Sequence, residues 1–92
     1  SRRQRQMCIR DRQYYYFGSI YKVNYLMNTG NTLRALQEAE LTKEQAFADD
    51  YPYGISTCLR MMGNIYFARR ENRTALDYYQ QSLVYTQEKL PE

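Results

Sequence analysis

Ala35-Leu36 and Ala75-Leu76 stand 40 residues apart, each just behind a short polar turn. In that register Asn24 falls on Asn64, Val23 on Gly63 and Leu26 on Tyr66. A chain that repeats itself at such a spacing builds one supersecondary unit more than once and stacks the copies, because no single copy can bury its apolar face alone. A rival match sets Gly18-Ser19-Ile20-Tyr21 against Gly63-Asn64-Ile65-Tyr66 at a spacing of 45. The 40-residue register is preferred because it leaves both internal turns the same length.

The repeated unit reads as a pair of helices. Ile55, Cys58, Leu59, Met62 and Tyr66 fall on one face of a helix. Asp49-Asp50-Tyr51-Pro52 precedes them; proline suits a first helical turn, and the aspartates offer caps. Arg70-Glu71-Asn72 breaks the pattern, after which Ala75, Leu76, Tyr79, Leu83 and Leu90 keep helical spacing as far as Pro91. The earlier half follows the same plan. An apolar, tyrosine-rich stretch runs from Gln13 to Met27, and Asn28-Thr29-Gly30-Asn31 is a turn signal. Leu36, Ala39, Lys43, Ala46 and Phe47 then share one side of a helix from Leu33 to Phe47. No period-two strand pattern competes. The expectation is an all-α fold of two tandem antiparallel helix-turn-helix hairpins, over residues 13–50 and 51–92, forming a piece of an α-solenoid. A plain helical bundle with the same apolar spacing is the alternative.

Residues 56–90 carry a more specific pattern: Leu59, Met62, Gly63 and Tyr66 on the first helix, then Ala75, Tyr79 and Ser82 on the second. This resembles a tetratricopeptide repeat, with Leu59 where the family has Trp and with the closing proline late, at Pro91. Residues 16–50 are similar to a degraded copy through Val23, Leu26, Ala35, Ala39 and Thr42, while Ser19 and Lys22 depart from the pattern. The resemblance implies small residues, Gly63 and Ala75, where two helices cross closely, and tyrosines 66 and 79 filling the wedge beside them. Such repeats normally come in threes or more. The absence of an initiator methionine and the end at Leu90-Pro91-Glu92 add to the expectation of a fragment of a longer protein.

Charge is unevenly spread. The first twelve residues, SRRQRQMCIRDR, hold five arginines against Asp11, whereas residues 13–92 hold eight Lys or Arg and nine Asp or Glu, so the overall +3 resides in the leader. Nucleic-acid binding needs clustered positive charge to displace counterions from phosphates, and the near-neutral body lacks it. The leader is similar to the peptide produced when sequencing-adapter DNA at the end of a metagenomic reading frame is translated, which implies a non-native segment, although its Arg and Gln residues allow it to extend the first helix; a basic arm touching phosphates or anionic lipid is the functional alternative. Mean hydropathy is −0.82, and no run approaches the ~18 apolar residues of a membrane span.

The residues that carry chemistry are sparse. Histidine is absent, which removes the commonest general base and metal ligand. The two cysteines, Cys8 and Cys58, read as unpaired, and no phosphate loop or nucleophile elbow is present. No catalytic residue, metal site or cofactor is expected. What remains is recognition. On the third helix Thr57, Arg60, Asn64, Phe67 and Ala68 lie opposite the apolar stripe, and Phe17, Ile20, Asn24, Met27 and Asn28 accompany them on the first. The resemblance implies that Ile20, Asn24, Met27, Thr57, Arg60, Asn64 and Phe67 line a groove for a protein or peptide, with Arg60 and Asn64 similar to the basic-plus-amide pairs that hold a carboxylate. Tyrosines 14, 15, 16, 21 and 25 ring the first helix and are expected to be buried against a missing upstream repeat, with a binding patch as the functional alternative. Tyr53-Gly54 and the tyrosine-rich phrasing resemble repeat regions of bacterial sensor histidine kinases and helix-turn-helix regulators, cytoplasmic or periplasmic. A nucleic-acid-binding helical-repeat protein is the second functional expectation.

Overall fold

The computed structural model describes residues 9–89 and holds four helices: α1 (Ile9–Asn28), α2 (Thr32–Ala48), α3 (Pro52–Ala68) and α4 (Asn72–Lys89). There is no strand among the described residues. One turn is used three times. Gly30, Asp50 and Arg70 each adopt positive φ (84°, 52° and 67°). The next residue's N–H then reaches back five residues, from Asn31 to Leu26 O, Tyr51 to Ala46 O and Glu71 to Tyr66 O. The left-handed residues themselves donate to Met27, Phe47 and Phe67 O. This pair of bonds is the Schellman ending of a helix. The backbone therefore recurs every 20 residues, and the two intra-hairpin turns correspond at 40.

Asp49 and Asp50 do not cap α3. Asp49 closes α2 and Asp50 supplies the left-handed turn, while Tyr51 sits at the N-cap of α3 without a side-chain cap bond and Pro52 opens the helix. The first helix starts at Ile9, inside the basic leader, and the Arg12 guanidinium lies 4.6 Å from the centroid of the Tyr51 ring. The rest of the leader, with Cys8, and Leu90 to Glu92 lie outside the described residues.

Each helix packs on the next in sequence, α1 on α2, α2 on α3 and α3 on α4, all antiparallel. Two clusters form the interior. Val23 and Leu26 meet Ala35 and Ala39 beneath Cys58, Met61, Met62 and Ile65. Tyr16, Ala46, Ile55 and Leu59 form the other, with Tyr51, Tyr78 and Tyr85 packed against it. The alanines let α2 lie close to both neighbours. Between α3 and α4 a Cβ on Gly63 would come within 2.7 Å of the Tyr79 ring and 3.2 Å of Ala75 O, so Tyr79, not Ala75 alone, occupies the space that Gly63 leaves. Further along the same seam Ser82 Oγ donates to Ser56 O (2.9 Å), and the hydroxyls of Ser56 and Thr86 meet at 2.6 Å.

The buried side of α4 is thus Ala75 and Ser82 with half-buried Tyr78, Tyr79 and Tyr85, whereas Leu76 and Leu83 are exposed. The expected Leu76–Leu83 stripe faces outward because the close approach to α3 selects small side chains. Phe47 is also exposed, its ring 6.4 Å from that of Tyr85. Of the α1 tyrosines Tyr16 is buried, and Tyr14, Tyr15, Tyr21 and Tyr25, expected to lie under an upstream repeat, are exposed within this chain.

Candidate partner-binding groove

Because α1 and α3 both lean on α2, they run alongside one another and leave a groove between them. It encloses about 240 Å³ and is lined by Val23, Asn24, Met27, Asn28, Met61, Asn64 and Ile65. Val23, Met61 and Ile65 are buried and form its floor. Asn24, Asn28 and Asn64 are exposed and stand along its sides. Asn24 and Asn28 are four residues apart on α1 and so share a face, and Asn64 is the counterpart of Asn24 in the 40-residue register. The Tyr79 hydroxyl donates to Asn64 Oδ1 at 2.5 Å. That bond turns the amide oxygen toward α4 and leaves Asn64 Nδ2 as the group available to a partner.

Of the seven residues expected in the groove, Asn24, Met27 and Asn64 line it. Ile20 is half-buried and packs against the core below. Arg60 and Phe67 are exposed on α3 but outside the lining. Thr57 is buried and is not available to a partner. A helix touched from one side presents one outer face, but α3 has α2 on one flank and α4 on the other, and every residue from Gly54 to Leu59 is enclosed. Met61 belongs to the groove although its apolar side chain reads from the sequence simply as core. Position 61 stands three residues from Asn64 and four from Ile65 on the same helix, which is the signal that places it at the groove floor.

A larger hollow of about 510 Å³ lies between α2 and α4, where Phe47, Leu59, Val84 and Tyr85 are bordered by Lys43, Asp77 and Glu88. Nothing in the sequence pattern marks it, since its apolar members come from three different helices.

Chemically the α1–α3 groove is neutral, with amide donors and acceptors over an apolar floor. Among the described residues no three His, Cys, Asp or Glu side chains cluster as a metal site would require, and no helix is long and apolar enough to cross a membrane. The Cys58 thiol is free and buried, and burial pushes its pKa up to about 12 against the opposing pull of Lys43. Nucleophilic sulfur chemistry needs the thiolate, so Cys58 acts here as a small apolar side chain. No protein-family model, curated protein or solved structure matches the chain.

Proposed function

We propose that this chain is a protein-interaction module built of tetratricopeptide-like repeats, taking a peptide segment in the α1–α3 groove. The observation that carries the proposal is the set of three amides, Asn24, Asn28 and Asn64, exposed over the buried Val23–Met61–Ile65 floor. Amide side chains both donate and accept, which matches the alternating N–H and C=O groups of an extended peptide backbone. A space of about 240 Å³ is small for an engulfed metabolite, for which pockets of roughly 300–1,000 Å³ are usual; an open groove of this size suits a chain segment lying along it.

Three features support the repeat assignment over a plain bundle. The helix endings recur at fixed spacing, the helices pack serially, and Leu59, Met62, Gly63, Ala75 and Ser82 are all buried with Tyr66 and Tyr79 wedged beside them. Membership of a bacterial signalling protein is the finer part of the proposal and rests on the resemblance alone.

The test is selection from a displayed random-peptide library against the chain, followed by calorimetry on the selected peptides. Peptides that bind the parent should bind Asn24→Ala/Asn64→Ala about tenfold or more weakly, as expected for loss of central contacts, with helicity unchanged. Retained binding in that variant, together with loss in Phe47→Ala/Val84→Ala, would transfer the site to the α2–α4 hollow.

A further inference from the structure

The 40-residue register relates surfaces as well as turns. One face of α3 carries Gly54, Cys58, Met61 and Ile65, all buried; Cys58, Met61 and Ile65 belong to the cluster shared with α1 and α2. The same positions on α1, 40 residues earlier, are Tyr14, Gly18, Tyr21 and Tyr25. There the three tyrosines are 59% to 75% exposed, and nothing lies within 4 Å of where a Gly18 Cβ would be. The other end of the molecule shows the converse. Met27 and Leu36 are half-buried against the cluster that contains the α3 face, and Lys43 acts on Cys58 of that face. Their counterparts, Phe67, Leu76 and Leu83, are 54% to 62% exposed.

The molecule therefore contains one interface, between the first hairpin and α3, and displays the unfilled halves of the same interface at its two ends. We infer that a second copy of this chain covers the tyrosine face of α1 with its own Phe67–Leu76–Leu83 end, so that copies associate head to tail in continuation of the α1–α2/α3 packing. The internal interface specifies the occupant: the face on α1 is the positional equivalent of a surface that already receives a hairpin of this chain. Tyrosine suits a surface that is sometimes open, because its body is apolar and its hydroxyl tolerates water. Two different patches that complement each other form a heterologous contact, which propagates instead of closing as a symmetric dimer does. This inference rests on the register of the repeat and not on peptide binding in the groove.

Sedimentation equilibrium of the full chain from micromolar to millimolar concentration tests it. The average mass should rise continuously past that of a dimer. Tyr21→Asp on the α1 face and Leu83→Asp on α4 should each weaken association by about tenfold or more, with circular dichroism unchanged because both side chains are exposed. Mixed together, the two variants should form a one-to-one dimer, through the intact end of one and the intact face of the other. Tyr25→Lys and Leu76→Lys form a second pair should either first variant lose helicity. A parent that stays monomeric at millimolar concentration overturns the inference. So does a mass that levels at the dimer and survives Leu83→Asp, which would mean symmetric pairing of tyrosine faces, and so does a variant mixture that stays monomeric.

Discussion

The Tyr16 hydroxyl donates to buried Asp49 at 3.2 Å, and Gln45 donates to the same carboxylate at 3.0 Å. Burial raises the Tyr16 pKa above its ordinary value, and the charge of Asp49 and the hydrogen bond to it push in the same direction. A folded-state pKa above the unfolded value of about 10 stabilises the neutral phenol. Its contribution is fully present below the unfolded pKa and is lost as pH rises through the folded one. Melting temperature should thus fall in alkaline solution above about pH 10. Tyr16→Phe should lower stability at neutral pH by about 1–3 kcal/mol, the cost of removing a donor from a buried acceptor, while flattening the alkaline decline. Thermal melts of both proteins from neutral to alkaline pH check this; equal slopes would show that Tyr16 does not titrate with unfolding. The pair was not legible in sequence. Tyr16 is one tyrosine in a run of three and Asp49 reads as a cap, because only the turn at Gly30, which folds α2 back along α1, brings the end of α2 to the first half of α1.

At the scale of elements, most of the architecture was legible because it depends on local signals. Asn28-Thr29-Gly30-Asn31 and Arg70-Glu71-Asn72 mark real turns, and the small residues Ala35, Ala39, Gly63 and Ala75 mark real helix contacts. What could not be read was which side of each helix its neighbours would take. Leu76 and Leu83 face outward and Thr57 inward, the reverse of what their spacing suggests, since a helix with two neighbours buries more than one stripe and a terminal helix buries less. The turns themselves carry a prediction. A left-handed conformation costs an L-residue ~1–2 kcal/mol, and glycine returns roughly 0.5–1 kcal/mol of that through its unfolded-state entropy. Arg70 is exposed and occupies the position that Gly30 fills in the first turn. Arg70→Gly should therefore stabilise by about 0.5–1 kcal/mol in chemical denaturation, and a destabilised variant would mean that the Arg70 side chain holds the turn. Gly63 should behave oppositely. Gly63→Ala forces the Tyr79 ring from its seat and should cost about 1–3 kcal/mol, whereas Gly18→Ala, facing open space, should gain about 0.5–1 kcal/mol in dilute solution. If the two glycine variants shifted stability alike, α3 and α4 would not cross closely at Gly63.

For the whole molecule, the distribution of charge bears on the two classes of partner raised by the sequence. Of the eight cations in residues 13–92, Lys22, Lys43 and Arg69 are paired with Glu38, Glu40 and Glu71 at 3.2–3.4 Å. Such pairs, each with one partner exposed to solvent, add little to stability, but they cancel positive potential at the surface. Affinity for nucleic acid comes chiefly from cations that release counterions from phosphate, and it falls steeply with salt. The leader concentrates positive charge in Arg2, Arg3, Arg5, Arg10 and Arg12, of which Arg12 packs on Tyr51 and the other four are the cations to replace. Any affinity of the full chain for oligonucleotides should therefore vanish when those four arginines are replaced by glutamine, with the melting temperature unchanged. Fluorescence anisotropy with single- and double-stranded oligonucleotides at physiological salt measures this. Micromolar binding that persists in the arginine-to-glutamine variant, and weakens steeply as salt is raised, would place a nucleic-acid surface on the helices themselves and displace the protein-interaction proposal.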